Sequence, residues 1–598
     1  MGFAQNLIDQ AQTLVSQRSE LERTWDNICK MMFLSPDRQW RRGTISGSRE
    51  TFEGWATGSK VAEKARLIYD ITGVVGLERI GAGLTSLVTP DSDKWEQLAV
   101  DDPFGYEMDD AEKKWAEQNR DYLFKVRYDP RSGWALCNQN AILSCAALGT
   151  GLYLVEENYG KPGMNARSIP FTHTTLPLSD NYLTINGQGL HDQDYRFMSL
   201  TARVAAQMFT GLSSKTMEKA NDPKQQHQLV QFLHYIGERQ ERGPYKNAYA
   251  EDETRPGNYN SRSSHVSCYI EVDAKLDVKH GGFNYWPIIA YLWKQIDNSP
   301  YGDGAAALVM AEVLSANILA KNALLAAQSQ VAPPIATMDD SSLNRPNMNP
   351  RAINYGMLDK NGNLKVKPIL LGGNPQLSQQ ILEASRGQID KGLYINLWQI
   401  MMNDPRKTAT QSLIEANEKG EIIGPIGTRL QAGLSRSTDA HLAILRDKGA
   451  WQDGSPLAPP ESLASRAVQS KFTSPLDRLR RTGELLGIHK TLELAGGVLA
   501  ADPQSDIMDN FDTDEIARLG SEIGGAPAKI IRNKEDRDQR RQERQQAQQA
   551  QAAQQLAATA KDAGQAAAAV APQQDNIARM LQNVAGASQA AQQPVEAA

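Results

Sequence analysis

The residue pairs in this chain that have the spacing of a chemical site are few, and each lacks the companion its chemistry needs. His265 and Cys268 are separated as two zinc ligands would be, but no second pair follows to complete a tetrahedral shell. Lys490-Thr491 ends as a phosphate loop ends, yet the glycines that let backbone amides cradle phosphates do not precede it. No ATP hydrolysis through such a loop is expected. Gly81-Ala82-Gly83 follows a helical stretch instead of a strand, which excludes a dinucleotide fingerprint. Neither an H-E-x-x-H helix nor a G-x-S-x-G elbow occurs. The pairs Asp91/Asp93 and Asp101/Asp102 sit in turn-like sequence, where carboxylates act as solvated caps. The expectation is a non-enzyme with no catalytic residue, no metal and no cofactor.

Basic clusters are the remaining groups that could meet a partner. Arg406 and Lys407 follow a long helical stretch, and Arg345, Arg351, Lys360, Lys365 and Lys367 crowd one short segment. A solvated loop face explains each of them as well as a contact with phosphate or acidic protein does.

Bulk properties narrow the partner. The 598 residues carry 64 Lys+Arg against 70 Asp+Glu, a net charge of −6, with 40% hydrophobic content. Such a chain can build several cored domains, and its acidity disfavours nucleic-acid capture by bulk charge. Any DNA contact is expected to be local or weak. Cys29, Cys137, Cys145 and Cys268 are too scattered for a disulfide framework and read as buried thiols. No stretch reads as about 20 uninterrupted apolar residues, and the polar start lacks the pattern of an export leader. These features predict a soluble, unexported protein with no membrane partner.

Helices open the chain. Apolar residues at spacings of three, four and seven predict one amphipathic helix over 5–32, followed by helices over about 62–87, 109–128 and 133–148, two of them stopped before Pro90 and Pro130. The texture then changes to β-branched and aromatic runs at 153–156, 167–173, 182–185, 228–236 and 264–272, expected to form one antiparallel sheet. A short helix over 199–210, capped by Ser199 or Thr201, interrupts them, and 243–264 reads as an exposed loop.

The most informative stretch is 304–330, a helix about 40 Å long with two apolar stripes. Ala316, Ala320, Ala323 and Ala327 step along one side, and Leu314, Ile318 and Leu325 lie about 180° away. Opposed stripes imply neighbours on both sides, which either a buried core helix or a ring of identical chains would supply. Pro333-Pro334 ends the helix, and a short β excursion follows with a hairpin signal at Asn361-Gly362. A second long helix starts at Asn374-Pro375 with Ile381, Ile389, Leu393, Leu397 and Ile400 on one face. The excursion therefore caps a two-helix stalk. Thr408 and Gln411 form a capping box for a helix expected to break near Gly424-Pro425. Further helical stretches end near Leu445, run from Ser474-Pro475 to about Leu499, and close near Ile531 before an Ala/Gln-rich tail headed by Arg540, Arg541 and Arg544. That tail has high helix propensity and almost no large apolar face, so it would fray alone or bundle in many copies.

Several runs together resemble the podovirus, T7-like, head-to-tail connector or portal family. They are Ser299-Pro300-Tyr301-Gly302-Asp303-Gly304, Val331-Ala332-Pro333-Pro334, Asn349-Pro350-Arg351-Ala352-Ile353-Asn354-Tyr355, Lys367-Pro368 and Thr408-Ala409-Thr410-Gln411. Upstream, Ile68-Tyr69-Asp70 through Thr89-Pro90 and Trp95 are similar to the family's early helix, and downstream Ser474-Pro475-Leu476 and Gly524-Gly525-Ala526-Pro527 are similar to its end. The similarity runs in order from about 60 to 545, with Gln411 standing where the family is expected to carry an acid.

The resemblance implies a mainly helical α+β portal fold. Its parts would be a wing (1–300), a stem helix (301–330), a small β clip (331–374), a second stem helix (375–402), a tunnel loop with wing helices (403–469), a helical crown (470–531) and a helical barrel or disordered tail (532–598). It also implies a ring homo-oligomer, usually a dodecamer, at one capsid vertex of the virion, assembled in the host cytoplasm. Double-stranded DNA would pass through it non-specifically during packaging and ejection. Its further partners would be the terminase large subunit, a tail adaptor, and the major capsid and scaffolding proteins. Arg406 and Lys407 would then face the DNA channel, the five clip cations would meet partner proteins, and both stripes of the first stem helix would pack between subunits. Rival readings are a DNA-packaging enzyme and a minor capsid or scaffolding component.

Overall fold

The computed structural model describes residues 2–33, 68–100, 106, 108–158, 169–239, 263–331, 335–337, 366–368, 375–395, 409–452, 454–463, 466–501, 507, 510–523, 537–552 and 554–555. The chain divides into a unit of Met1–Asn510 and a unit of Phe511–Ala598, a boundary that falls inside the stretch expected to form the crown.

The first unit is mainly helical. Its opening helix is two: α1 (Phe3–Gln17) and α2 (Ser19–Met32) meet at Arg18. Arg18 is buried and donates to the carbonyls of Ser179 and Asn181, to Tyr301 Oη at 3.1 Å and, one turn along α2, to Glu22 at 3.1 Å. Helix α3 (Thr72–Val88) starts where the Asp70 carboxylate accepts the Thr72 N–H at 2.9 Å, later than periodicity suggests. A complete capping box between Asp109 and Glu112 starts α4 (Asp110–Arg127). Helix α5 (Trp134–Leu148) is apolar on all sides and buried on most of them, as a central helix must be.

The strands form two main sheets instead of one. Strand β2 (Thr150–Glu157) pairs antiparallel with β3 (Phe171–Leu176) and β9 (Ile288–Leu292). The second sheet runs in simple meander order: β4 (Asn181–Ile185), β5 (His191–Thr201), β6 (Leu229–Glu238), β7 (His265–Glu271) and β8 (Leu276–Phe283). The short helix predicted from residue 199 is the end of β5, and the helix α6 (Ala202–Met208) begins after Thr201, whose hydroxyl caps it. Helix α7 (Ser214–Asn221) completes that lobe. Strand β1 (Glu96–Val100) pairs with the distant β12 (Val468–Phe472), a contact no local pattern announces.

The long helix α8 (Ala305–Val331) and the helix α9 (Pro375–Gly392) pack on each other. By composition residues 305–328 are long and apolar enough to cross a membrane, with mean hydropathy 1.4, which corrects the expectation that no segment qualifies. At their far end, β10 (Ile335–Thr337) and β11 (Val366–Pro368) form an antiparallel ladder, so the chain between the helices leaves and returns side by side. The hairpin signal at 361–362 lies outside the described residues. Helix α9 ends earlier than residue 402: Tyr394 takes a positive φ of 56°, and Leu393 and Ile395 turn into the core.

Helix α10 (Ala409–Asp447) is continuous through Pro425, against the expected break. Gly424 ahead of it has no Cβ to clash with the proline ring, and Ile423, Ile426 and Leu430 are buried, so packing offsets the missing backbone bond. Helix α11 (Pro475–Ala501) is capped by the reciprocal contacts of Ser474 and Asp477. One hydrophobic core extends from Trp25 on α2 to Leu476 on α11.

In the second unit, α12 (Thr513–Ile523) is joined to the helical residues 537–552 by Asp514, which accepts from both terminal nitrogens of Arg541 at 2.6 and 2.7 Å.

Candidate functional site: the two-helix stem

Helix α8 is anchored along one line. Ala305, Ala306, Val309, Met310, Val313 and Ala316 recur at three- and four-residue spacing and all are buried. Glycines bring the neighbouring helices close to it. A Cβ on Gly392 would lie 2.3 Å from Val309, and one on Gly73 would lie 3.0 Å from Val313. Likewise a Cβ on Gly76 of α3 would lie 2.6 Å from Leu393.

A polar clamp fixes the same three helices. Asn317 Oδ1 accepts the backbone N–H of Tyr69 at 2.6 Å and of Asp70 at 3.2 Å. The Asp70 carboxylate, which also accepts the Thr72 N–H at the start of α3, accepts from Arg386 Nε at 2.8 Å and Nη2 at 2.7 Å. Burial opposes its charge, but the bonds from Thr72 and the Arg386 guanidinium outweigh this and hold its carboxyl below the usual range. The segment 69–70 thus ties the start of α3 to both α8 and α9.

The opposite side of α8 is uncovered. Leu314, Ile318 and Leu325 are 36%, 58% and 49% exposed, and lie within about 40° of one another around the helix. The stripe runs onto Tyr69, over whose ring Lys321 sits at 5.7 Å, and Tyr69 and Ile71 are themselves exposed. Leu308 and Leu324 are further exposed apolar residues that sequence reasoning did not single out. Exposed aliphatics grouped on one rigid element form a candidate contact surface.

The alanine stripe behaves differently along its length. Ala316 is fully buried against its own chain, and Ala320 is half-buried on the same core. Ala323 is half-buried and Ala327 exposed. The expectation that the whole stripe packs between subunits is therefore corrected at Ala316, whose neighbour is already present within the chain. Of the clip cations, Lys367 lies in β11 opposite Ala336, while Arg345, Arg351, Lys360 and Lys365 lie outside the described residues, as do Arg406 and Lys407.

His265 and Cys268 do not form a ligand pair. Three residues apart on β7, they leave opposite faces of the strand, and the Cys268 Sγ instead lies 3.4 Å from His280 Nδ1. Among the described residues no group of three His, Cys, Asp or Glu is placed to hold a metal ion.

Sequence reasoning also missed a buried polar hub. Arg127 pairs with Glu96, donates to Thr438 Oγ1 at 2.7 Å and to His441 Nδ1 at 3.3 Å. His441 Nε2 lies 2.8 Å from His173 Nε2, and His173 Nδ1 lies 3.0 Å from the Ser132 carbonyl. The hub ties β1, β3, α4 and α10 together. Its members stand up to 345 positions apart, so no spacing could have revealed them.

Helices α8 and α9 are thus a core-anchored pair joined through the β10–β11 ladder. The model of the bacteriophage head to tail connecting protein family matches residues 4–531, and the chain belongs to that family. No curated protein matches the chain.

Proposed function

We propose that this protein is the T7-like portal of its phage: a ring, twelve-fold by family resemblance, that sits at one capsid vertex and conducts double-stranded DNA during packaging and ejection. Helices α8 and α9 are the stem, the chain bracketed by β10 and β11 is the clip, and residues 401–407 are the tunnel loop. The carrying observation is the Leu314, Ile318 and Leu325 stripe, exposed on a helix whose other side is locked into the subunit core. A monomer gains nothing from that surface, whereas a neighbouring copy would bury it at about 25 cal/mol per Å².

The chain's acidity suits a conduit, since each phosphate neutralised by Lys or Arg adds affinity that would impede sliding. Arg406 and Lys407 are the proposed phosphate neighbours. Arg345, Arg351, Lys360, Lys365 and Lys367 are proposed to meet acidic faces of the terminase large subunit and then of the tail adaptor. The major capsid and scaffolding proteins are proposed to surround the wing during assembly in the host cytoplasm. Negative-stain images and native mass measurement of the purified chain test the reading: closed rings with a channel wide enough for a duplex are expected, and a homogeneous monomer or a poreless aggregate would refute it.

A further inference from the structure

Independently of the portal reading, we propose that Cys268 is a covalent modification site: a thiol activated by His280 and Asp277 that reacts with small uncharged electrophiles, peroxides being the oxidising class.

A break in the sheet brings the three side chains into line. Strands β7 and β8 pair with Cys268 opposite His280 and Tyr269 opposite Lys279, but the next residue, Ile270, stands opposite Asp277, so Val278 is an extra residue in β8. In an unbroken strand, residues three apart leave opposite faces. The bulge instead sets both Asp277 and His280 on the face of Cys268, while Val278 packs with Phe232 in the cluster on the other side.

The contacts form a proton relay. Asp277 Oδ2 accepts from His280 Nε2, and His280 Nδ1 lies 3.4 Å from Cys268 Sγ. Because Nε2 turns its hydrogen toward the carboxylate, Nδ1 of the neutral ring is an acceptor and the Cys268 S–H donates to it. Asp277 Oδ1 is buried with no hydrogen-bond partner among the described residues, so no other donor there competes with His280 for the carboxylate. A buried thiol packs like a small apolar group and requires no such relay. Cys137 and Cys145 have a hydroxyl and a carbonyl as neighbours instead, and burial pushes both thiols up.

Cys268 is fully buried, next to His280 and Asp277, whose side chains are 13% and 19% exposed on the sheet's outer strand. Edge strands fluctuate at far less cost than global unfolding, which admits a molecule of peroxide size. Both activating groups ride on β8, so their bond survives those fluctuations. On contact the S–H proton passes to His280 Nδ1 as sulfur attacks one peroxide oxygen; the S–O bond forms, the O–O bond breaks, and the departing hydroxide takes that proton and leaves as water. Sulfur is oxidised to the sulfenic acid and the peroxide is reduced.

Iodoacetamide labelling of the full-length folded chain, read by peptide mass spectrometry, tests the site, since an S–C bond forms with loss of iodide at an activated thiol. Cys268 is expected to label at least about tenfold faster than Cys29, Cys137 and Cys145, and brief peroxide treatment followed by dimedone to mark the same residue. His280→Ala separates activation from shielding by the sign of its effect: it uncovers the sulfur, so a thiol that was simply shielded labels faster, whereas an activated one labels at least about tenfold more slowly. Asp277→Asn keeps the size of its side chain and should also slow labelling; if His280→Ala does not fold, this variant decides alone. Equal labelling of the four cysteines, a dimedone mark elsewhere, faster labelling of Cys268 in His280→Ala, or unchanged labelling in Asp277→Asn overturns the proposal.

Discussion

The Nε2 atoms of His173 and His441 face each other at 2.8 Å in the core of the first unit. Only one of them can carry a proton in that contact. Because His173 Nδ1 is spent on the Ser132 carbonyl, it donates there and its Nε2 accepts, which leaves His441 Nε2 as the donor and His441 Nδ1 as the acceptor for Arg127. Both rings are therefore neutral in the folded protein.

Acid sensitivity follows. Burial pushes the His173 imidazole down to about 3, with the Arg127 charge adding to the effect, and holds that of His441 well below its ordinary value. The unfolded chain takes up protons near pH 6.5 while the folded one does not, so stability is full above that pH and falls below it. Between pH 6.5 and 5 the His173 ring should cost about 1.6 kcal/mol, approaching about 1.4 kcal/mol per pH unit once the unfolded ring is protonated, and His441 acts in the same direction. Denaturant midpoints measured across this window should fall, and the fall should shrink in His173→Gln.

Asp194 predicts the opposite trend. It is fully buried on β5 between Leu183 and Ile236, and burial raises its carboxyl to about 8 despite the Arg196 and Arg18 charges. The group keeps its proton in the fold, so its contribution is complete below pH 4 and declines as pH rises towards 8. Asp194→Asn should be neutral near pH 4 and gain about 1.4 kcal/mol for each pH unit above it. A melting temperature that does not rise at pH 7.5 would contradict this.

Substitutions on the two sides of α8 should separate folding from assembly. Ile318→Asp leaves the core untouched and should abolish ring formation with the melting temperature of the subunit unchanged. Ala316→Leu overpacks a fully buried position and should cost about 1–3 kcal/mol of subunit stability. Thermal melts paired with mass photometry distinguish the two outcomes.

Gly149 should tolerate no side chain. Its φ is +85°, and a Cβ there would lie 2.0 Å from the Gly302 carbonyl oxygen, backbone against backbone. The same junction is stitched by Gly302 N–H to Thr150 Oγ1 at 2.9 Å and Trp293 N–H to the Gly149 carbonyl at 3.0 Å. Gly149→Ala should destabilise by more than 3 kcal/mol, combining strain with displaced backbone, and little soluble protein should be recovered.

For the tunnel, an Arg406→Ala, Lys407→Ala double variant should assemble into rings yet package or retain less DNA. Normal genome retention in an in vitro packaging assay would count against these residues as phosphate neighbours.

Much of the chain was legible before any coordinates. Helix α8 and the onset of α9, the proline stops, the helix start near Asp109 and the Ser474-Pro475 start follow from local chemistry: periodicity, proline's missing N–H and short side-chain hydrogen bonds act within a few residues. The run 299–304 could be recognised but not explained; its glycines matter because one of them interlocks with Gly149, far away in the chain.

What the sequence by itself determined is which residues share a face; what covers a face was decided only by tertiary structure. The two stripes of α8 look equally apolar on the helical wheel, yet packing closes over Ala316 and leaves Ile318 open. The β1–β12 pairing and the Arg127–His441–His173 chain escaped the reading for the same reason. Periodicity carries information about a residue's near neighbours along the chain, whereas burial, proton position and pairing depend on groups that meet only after the chain has folded back on itself.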